Sequence, residues 1–158
     1  MSDLGDLGDA PWYVTNDAVM GGLSKGRVEQ ADHKLIFFGD ISIENNGGFT
    51  STFKPITPLP KAISNIKVCL KGDGNDYQLR LKSHVMAFPL AYKVMLATQA
   101  GQSLCYQFKL TDFKATHRGR AIGTAPALLA STITEVGFLI ANKQPNTFAL
   151  EVFTIEFS

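Results

Sequence analysis

Five side chains are the obvious candidates for nucleophilic, acid–base or metal chemistry: His33, His84, His117, Cys69 and Cys105. They lie far apart, none has a partner at a zinc-ligand spacing, and there is no CxxC pair. Phosphate loops of the GxGxxG and GxxxxGK[ST] types are absent, as is the GxSxG elbow. The run Gly72-Asp73-Gly74-Asn75-Asp76 resembles half of a calcium loop but lacks the distal glutamate. It reads first as a turn and second as a weak structural cation site. The expectation is a non-enzymatic chain with no catalytic residue, no cofactor and no metal.

Two other segments are unusual. Trp12 is the only tryptophan and precedes Asn16-Asp17, then Met20, a Gly21-Gly22 pair and Ser24. Asp17 is placed to accept backbone N–H bonds within a loop, and the glycine pair permits a close approach that side chains would forbid. In His117-Arg118-Gly119-Arg120 two guanidinium groups flank a glycine, a set suited to carboxylates of this chain or of a partner. One arginine paired with Asp17 would fasten the Asn16–Ser24 loop, leaving the other outward. The candidate partner-binding or loop-structuring set is Trp12, Asn16, Asp17, Met20, Gly21, Gly22, Ser24, Asn46, Gly47, Gly48, Asp73, Arg118 and Arg120. The wider cluster Lys109, Lys114, Arg118 and Arg120, diluted by Asp112, reads as a solvated loop before it reads as an anion-attracting patch.

The elements that must position these residues are strands. Period-two alternation marks Phe49 to Phe53, Ile66 to Lys71, Tyr77 to Lys82, Tyr92 to Leu96 and Leu104 to Lys109 as half-buried. Val136 to Ala141 and Phe148 to Phe157 are more continuously apolar and read as central strands covered on both sides, or as strands whose outer face meets a loop. Arg27 to Glu29, Lys34 to Phe38 and Ile41 to Glu44 are shorter candidates. Asn45 to Gly48 predicts a tight reversal, and Asp73-Gly74-Asn75 predicts a hairpin. Three prolines between Lys54 and Lys61 predict an ordered crossover. Thr124 to Ser131 is the best helix candidate, capped by Thr124 with Pro126 in its first turn. About nine or ten short strands with little helix mean an all-β sandwich or barrel with Greek-key crossings.

Composition bounds the rest. A chain of 158 residues with 45% apolar content fits one domain, expected over residues 11–158 after a flexible lead-in at 1–10. A net charge of +1 argues against a general nucleic-acid binder. No apolar run reaches the ~18–20 residues of a membrane helix. The acidic N-terminus does not fit a secretory or mitochondrial leader, so a cytoplasmic, non-integral protein, or a mature form already trimmed, is expected. Free thiols at Cys69 and Cys105 are the first reading and fit that expectation, with a disulfide between neighbouring strands as the second.

Several spaced motifs now carry a resemblance. Asn16 to Gly22 followed by Ser24 is very similar to the signature of the complex I intermediate-associated protein 30 family. Phe38-Gly39, Glu44 to Phe49, Lys71 to Gly74 with Tyr77, Arg118 to Arg120, Gly137-Phe138 and Phe148 to Ile155 follow in the family's order, so the resemblance spans Trp12 to Ile155. Ala18 stands where the family usually has glycine, and the usual Trp and Pro between Tyr77 and Arg118 are not evident. The resemblance implies a galactose-binding-like β-sandwich, or jelly roll. It also implies a protein-binding domain of the assembly-factor or chaperone kind. The animal members assist assembly of respiratory NADH:ubiquinone oxidoreductase, so respiratory complex subunits are the implied partners. The alternatives are a carbohydrate-binding module and an enzyme using Asp17, Asp73 or His117.

Overall fold

The computed structural model describes residues 7–16, 24–31, 33–43, 48–84, 90–117, 120–142 and 145–158. Its strands are β1 (Tyr13–Asn16), β2 (Lys25–Ala31), β3 (Lys34–Ile41), β4 (Phe49–Pro55), β5 (Asn65–Lys71) and β6 (Asp76–Ser83). Then come β7 (Leu90–Ala97), β8 (Ser103–Lys109), β9 (Lys114–His117), β10 (Arg120–Ala121), β11 (Ile133–Ala141) and β12 (Asn146–Phe157). They form two sheets, ordered β1-β4-β11-β6-β7-β9-β10 and β2-β3-β12-β5-β8. All the pairings are antiparallel. This is the β-sandwich that the alternating sequence dictates: each strand turns one face inward, and the two inner faces share one core. Leu35, Phe37 and Val152 from one sheet meet Tyr77, Leu79 and Phe138 from the other, all fully buried.

Both apolar late segments are central strands, but they differ. In β11, Val136 to Ile140 are buried without a break because the outer face is covered as well. The Phe53 ring lies across Gly137, where an added Cβ would stand 2.3 Å from the ring. In β12 the outer face is only partly covered: Ala149 is exposed and Glu151 half-buried. A register shift between Val152 and Thr154 turns both Val152 and Ile155 inward. That bulge, rather than two-sided burial, makes the segment look continuously apolar.

Three expectations are corrected. Thr124 to Ser131 is not a helix: residues 125–129 run without regular structure and end in a 3₁₀ turn at Ala130–Thr132. Leu128 is buried, and the Tyr92 hydroxyl donates to the Pro126 carbonyl at 2.8 Å. These tertiary contacts outweigh a two-turn helix, whose nucleation is costly. Asp73-Gly74-Asn75 is not a hairpin, because β5 and β6 belong to different sheets and the turn arches between them. The thiols are not free: Cys69 and Cys105 face each other in the β5–β8 register and are joined by a disulfide, with Cα atoms 4.0 Å apart. Both point away from the core, Cys105 exposed and Cys69 half-buried. Alternation had put each on a strand but could not show that the two strands are neighbours.

Among the described residues no helix is long and apolar enough to cross a membrane.

Candidate functional site

The motif residues at one end of the sandwich are tied into the framework. Asn16 ends β1, and its Oδ1 accepts from the Gly26 N–H at 2.9 Å and the Thr50 hydroxyl at 2.5 Å. One amide thereby joins β1 and β4 of the seven-stranded sheet to β2 of the other. Ser24 is buried; its hydroxyl donates to the Ser42 carbonyl at 3.0 Å and accepts from the Ser42 N–H at 2.9 Å. Gly48, at φ +132°, accepts from the Asn142 N–H at 2.9 Å. These contacts fix both flanks of residues 17–23 and one flank of residues 44–47. Asp17, Met20, Gly21, Gly22, Asn46, Gly47 and Arg118 lie outside the described residues.

Asp73 is the most heavily used of the candidates. Its Oδ1 accepts from the Asn75 N–H at 3.1 Å, which closes an Asx turn. Its Oδ2 accepts from Asn75 Nδ2 at 2.9 Å, the Tyr77 hydroxyl at 3.0 Å and the Ala149 N–H at 2.7 Å. The carboxylate therefore clamps the β5–β6 arch against β12. Burial, then the charge of Asp73 and its hydrogen bond, pushes the Tyr77 hydroxyl well above the ordinary tyrosine pKa. Among the described residues no group of three His, Cys, Asp or Glu side chains could hold a metal ion.

Trp12 and Arg120 lie in contrasting environments. Trp12 is buried, and its ring stacks on Phe138 with centroids 6.3 Å apart, so it faces the core and not a partner. Arg120 is exposed on β10, the sheet edge opposite β1. Six interstrand steps of about 4.8 Å separate those edges, roughly 29 Å. The ion pair expected between Asp17 and one of the two arginines falls on Asp17 and Arg118, which lie outside the described residues. The basic cluster is divided too, with Lys109 on β8 of one sheet and Lys114 and Arg120 on the other.

The outer face of the seven-stranded sheet carries residues that, Lys114 apart, the sequence reading passed over. Tyr13, Phe53, Gly137, Arg80, Lys93 and Lys114 stand opposite one another on six successive strands. Their chain neighbours are core residues, so the row points outward. Phe53 is the floor of its aromatic end, with the Lys82 ammonium 4.1 Å from the ring centroid. Lys82 donates to the Tyr13 hydroxyl at 3.0 Å and lies 3.8 Å from Glu135, to which the Tyr13 hydroxyl also donates. Burial, reinforced by the hydrogen bond to Glu135 and by its charge, raises the Tyr13 pKa. Arg80 is half-buried, its Nε donating to Gln78 Oε1 at 2.8 Å, and burial lowers its pKa. Phe53, Gly137, Arg80 and Lys93 sit at outward positions of strands the sequence predicts, whereas the short strands that carry Tyr13 and Lys114 are not among them. The missing signal was register, which only the fold supplies.

No curated protein sequence matches the chain. Solved structures do. The family 11 carbohydrate-binding module of the cellulosomal cellulase Lic26A-Cel5E of Clostridium thermocellum matches with a TM-score of 0.66 at 12% identity, over 99% of this chain and 91% of the module. The family 11 module from that organism in complex with a β-1,3-1,4-mixed-linked tetrasaccharide gives a TM-score of 0.63 at 11% identity, over 98% of this chain and 94% of the module. An exo-β-agarase matches over all of this chain but 24% of its own, with a TM-score of 0.63 at 9% identity. At these identities the likeness shows a shared β-sandwich fold. The sequence profile described as Complex I intermediate-associated protein 30 (CIA30) matches residues 5–152, nearly the whole chain, and the protein belongs to that family.

Proposed function

We propose that this chain is a non-catalytic protein-binding domain that assists assembly of a respiratory NADH:ubiquinone oxidoreductase. The observation that carries the reading is membership of a family described by association with complex I intermediates, matched over residues 5–152. The geometry supports a binding role. Most described motif residues brace the sandwich, while Tyr13 and Met95 are exposed large hydrophobic groups on one rigid sheet face, beside Arg80. Tyrosine, methionine and arginine are enriched at protein interfaces, and strands hold them with little conformational freedom to lose. The experiment is affinity purification of the tagged chain from its native host. Recovery of oxidoreductase subunits is expected; their absence beside abundant unrelated proteins overturns the assembly role.

A second reading is carbohydrate binding, favoured by the likeness to a module solved with a tetrasaccharide. Against it, the only tryptophan is stacked in the core and Tyr13 is the one exposed aromatic among the described residues. A glycan array separates the readings, and specific retention of a neutral oligosaccharide would favour the second.

A further inference from the structure

Arg80, Lys93 and Lys114 occupy successive positions on three adjacent strands, with Arg80 opposite Lys93 and Lys93 opposite Lys114. Like charges directly opposed across a sheet are destabilising, by an amount comparable to what an opposite-charge pair contributes. A sheet that carries three in a line retains a local conflict, and such conflicts concentrate at functional positions. The rest of the same face shows that its cations can be neutralised: Lys82, one step along β6, has Glu135 at 3.8 Å. Among the described residues no ion pair is formed by Arg80, Lys93 or Lys114. Arg80 is moreover half-buried, so its charge is already partly stripped of water.

We propose that this row is the docking site for an acidic helical segment of a protein partner, lying across the strands with its carboxylates on Arg80, Lys93 and Lys114 and an apolar residue against the exposed Tyr13 ring. The spacing suits that occupant. Strands stand about 4.8 Å apart, and side chains at i and i+4 of a helix are about 5–6 Å apart. Gly137 lies between the cationic and aromatic halves, and with Phe53 across it the floor there is low. Arginine's planar fork donates bidentately to a carboxylate, and the two lysines add point charges that steer the encounter. A nucleic acid fits less well, because a net charge of +1 supplies no extended basic field to follow a phosphate backbone. The inference rests on the protein-binding reading and names the chemistry of that partner.

The test uses the full chain and a fluorescein-labelled helical peptide with glutamates at i, i+4 and i+8 and a phenylalanine beyond them. Its glutamine counterpart, polygalacturonate and a single-stranded DNA oligonucleotide serve as competitors, read by anisotropy at low and physiological salt. The acidic peptide should bind and weaken with salt, and the glutamine peptide should not bind. Lys93→Glu and Lys114→Glu should each weaken binding about tenfold, Arg80→Glu at least as much, and Tyr13→Ala should remove the contribution of the phenylalanine alone. Lys61→Glu, an exposed charge reversal on a connecting segment outside this face, should change nothing. Lys114 is exposed, so its variant stays informative if Arg80→Glu does not fold. Absence of peptide binding, equal loss with Lys61→Glu, or tighter binding of polygalacturonate or DNA overturns the proposal. If oxidoreductase subunits are recovered equally by the wild type and the row variants, the row is refuted and the assembly reading stands. If the peptide behaves as expected and no subunits are recovered, the assembly reading falls alone.

Discussion

Asp73 and Asn16 show why polar residues in a turn-rich motif need not touch a ligand. Both oxygens of Asp73 accept, and Asp73→Ala would strand the buried Tyr77 hydroxyl and leave the Ala149 N–H without its acceptor. Losing charged-acceptor bonds from partly buried donors costs about 2–4 kcal/mol. We expect a lower urea midpoint with an unchanged m-value. Added calcium should leave the wild-type melting temperature unchanged, because N–H and O–H donors already occupy both oxygens; a calcium-dependent rise would mean that Asp73 also serves a cation. Asn16→Ala removes the acceptor shared by Gly26 and Thr50. A loss of about 1–3 kcal/mol is expected, and partner recovery should be unaffected once the variant is folded. An unfolding curve that overlays the wild type would show that the amide does not hold the sheets together.

At the scale of elements, the disulfide and the arch between sheets decide how β5 is held. Cys69 and Cys105 are 36 residues apart in sequence, and closing a loop of that length stabilises a domain by about 2–4 kcal/mol. Reduction should therefore lower the melting temperature, and Cys105→Ser should reproduce the reduced protein. Thiol counting in denaturant without reductant should find no free thiols, and two reactive groups would contradict the bond. The cysteine alternation was legible in the sequence; the bond was not, because β5 and β8 become neighbours only when intervening strands enter the other sheet. The same cause misdirected the turn at Asp73. A short Gly-Asn turn between alternating strands serves a hairpin or an arch equally well, and the choice was made by Asp73 binding β12.

For the whole molecule, pH is the most direct probe of the core. All four tyrosines have a raised pKa, with burial the first cause in each. The folded protein holds these protons more tightly than the unfolded chain, so their contribution is fully present below pH 10 and is lost as pH rises above it. Tyr77, with no exposed surface, should remove about 1.4 kcal/mol of stability for each pH unit above 10 while it stays protonated in the native state. Urea titrations on either side of pH 10 measure the loss, and tyrosinate absorbance should rise together with unfolding. Half-ionisation at pH 10 in a protein that is still folded would show the hydroxyls to be freely solvated.

The sequence by itself determined most of the strands and the fold class, because alternation of apolar and polar residues is a local property of each strand; the short strands Tyr13–Asn16, Lys114–His117 and Arg120–Ala121 carry too little alternation to be read. It also determined the family, because several short motifs recur in one order from Trp12 to Ile155. Tertiary structure alone decided which strands are neighbours, and with that everything depending on pairs of residues distant in sequence. The bond between Cys69 and Cys105, the placing of Asn16 and Arg120 on opposite edges, and the line from Tyr13 to Lys114 all follow from register and sheet order. A chain that crosses repeatedly between two sheets leaves no trace of that order in local pattern. The physical reason is that a strand's inward face is chosen by its own residues, whereas its partners are chosen by how the whole chain closes one core.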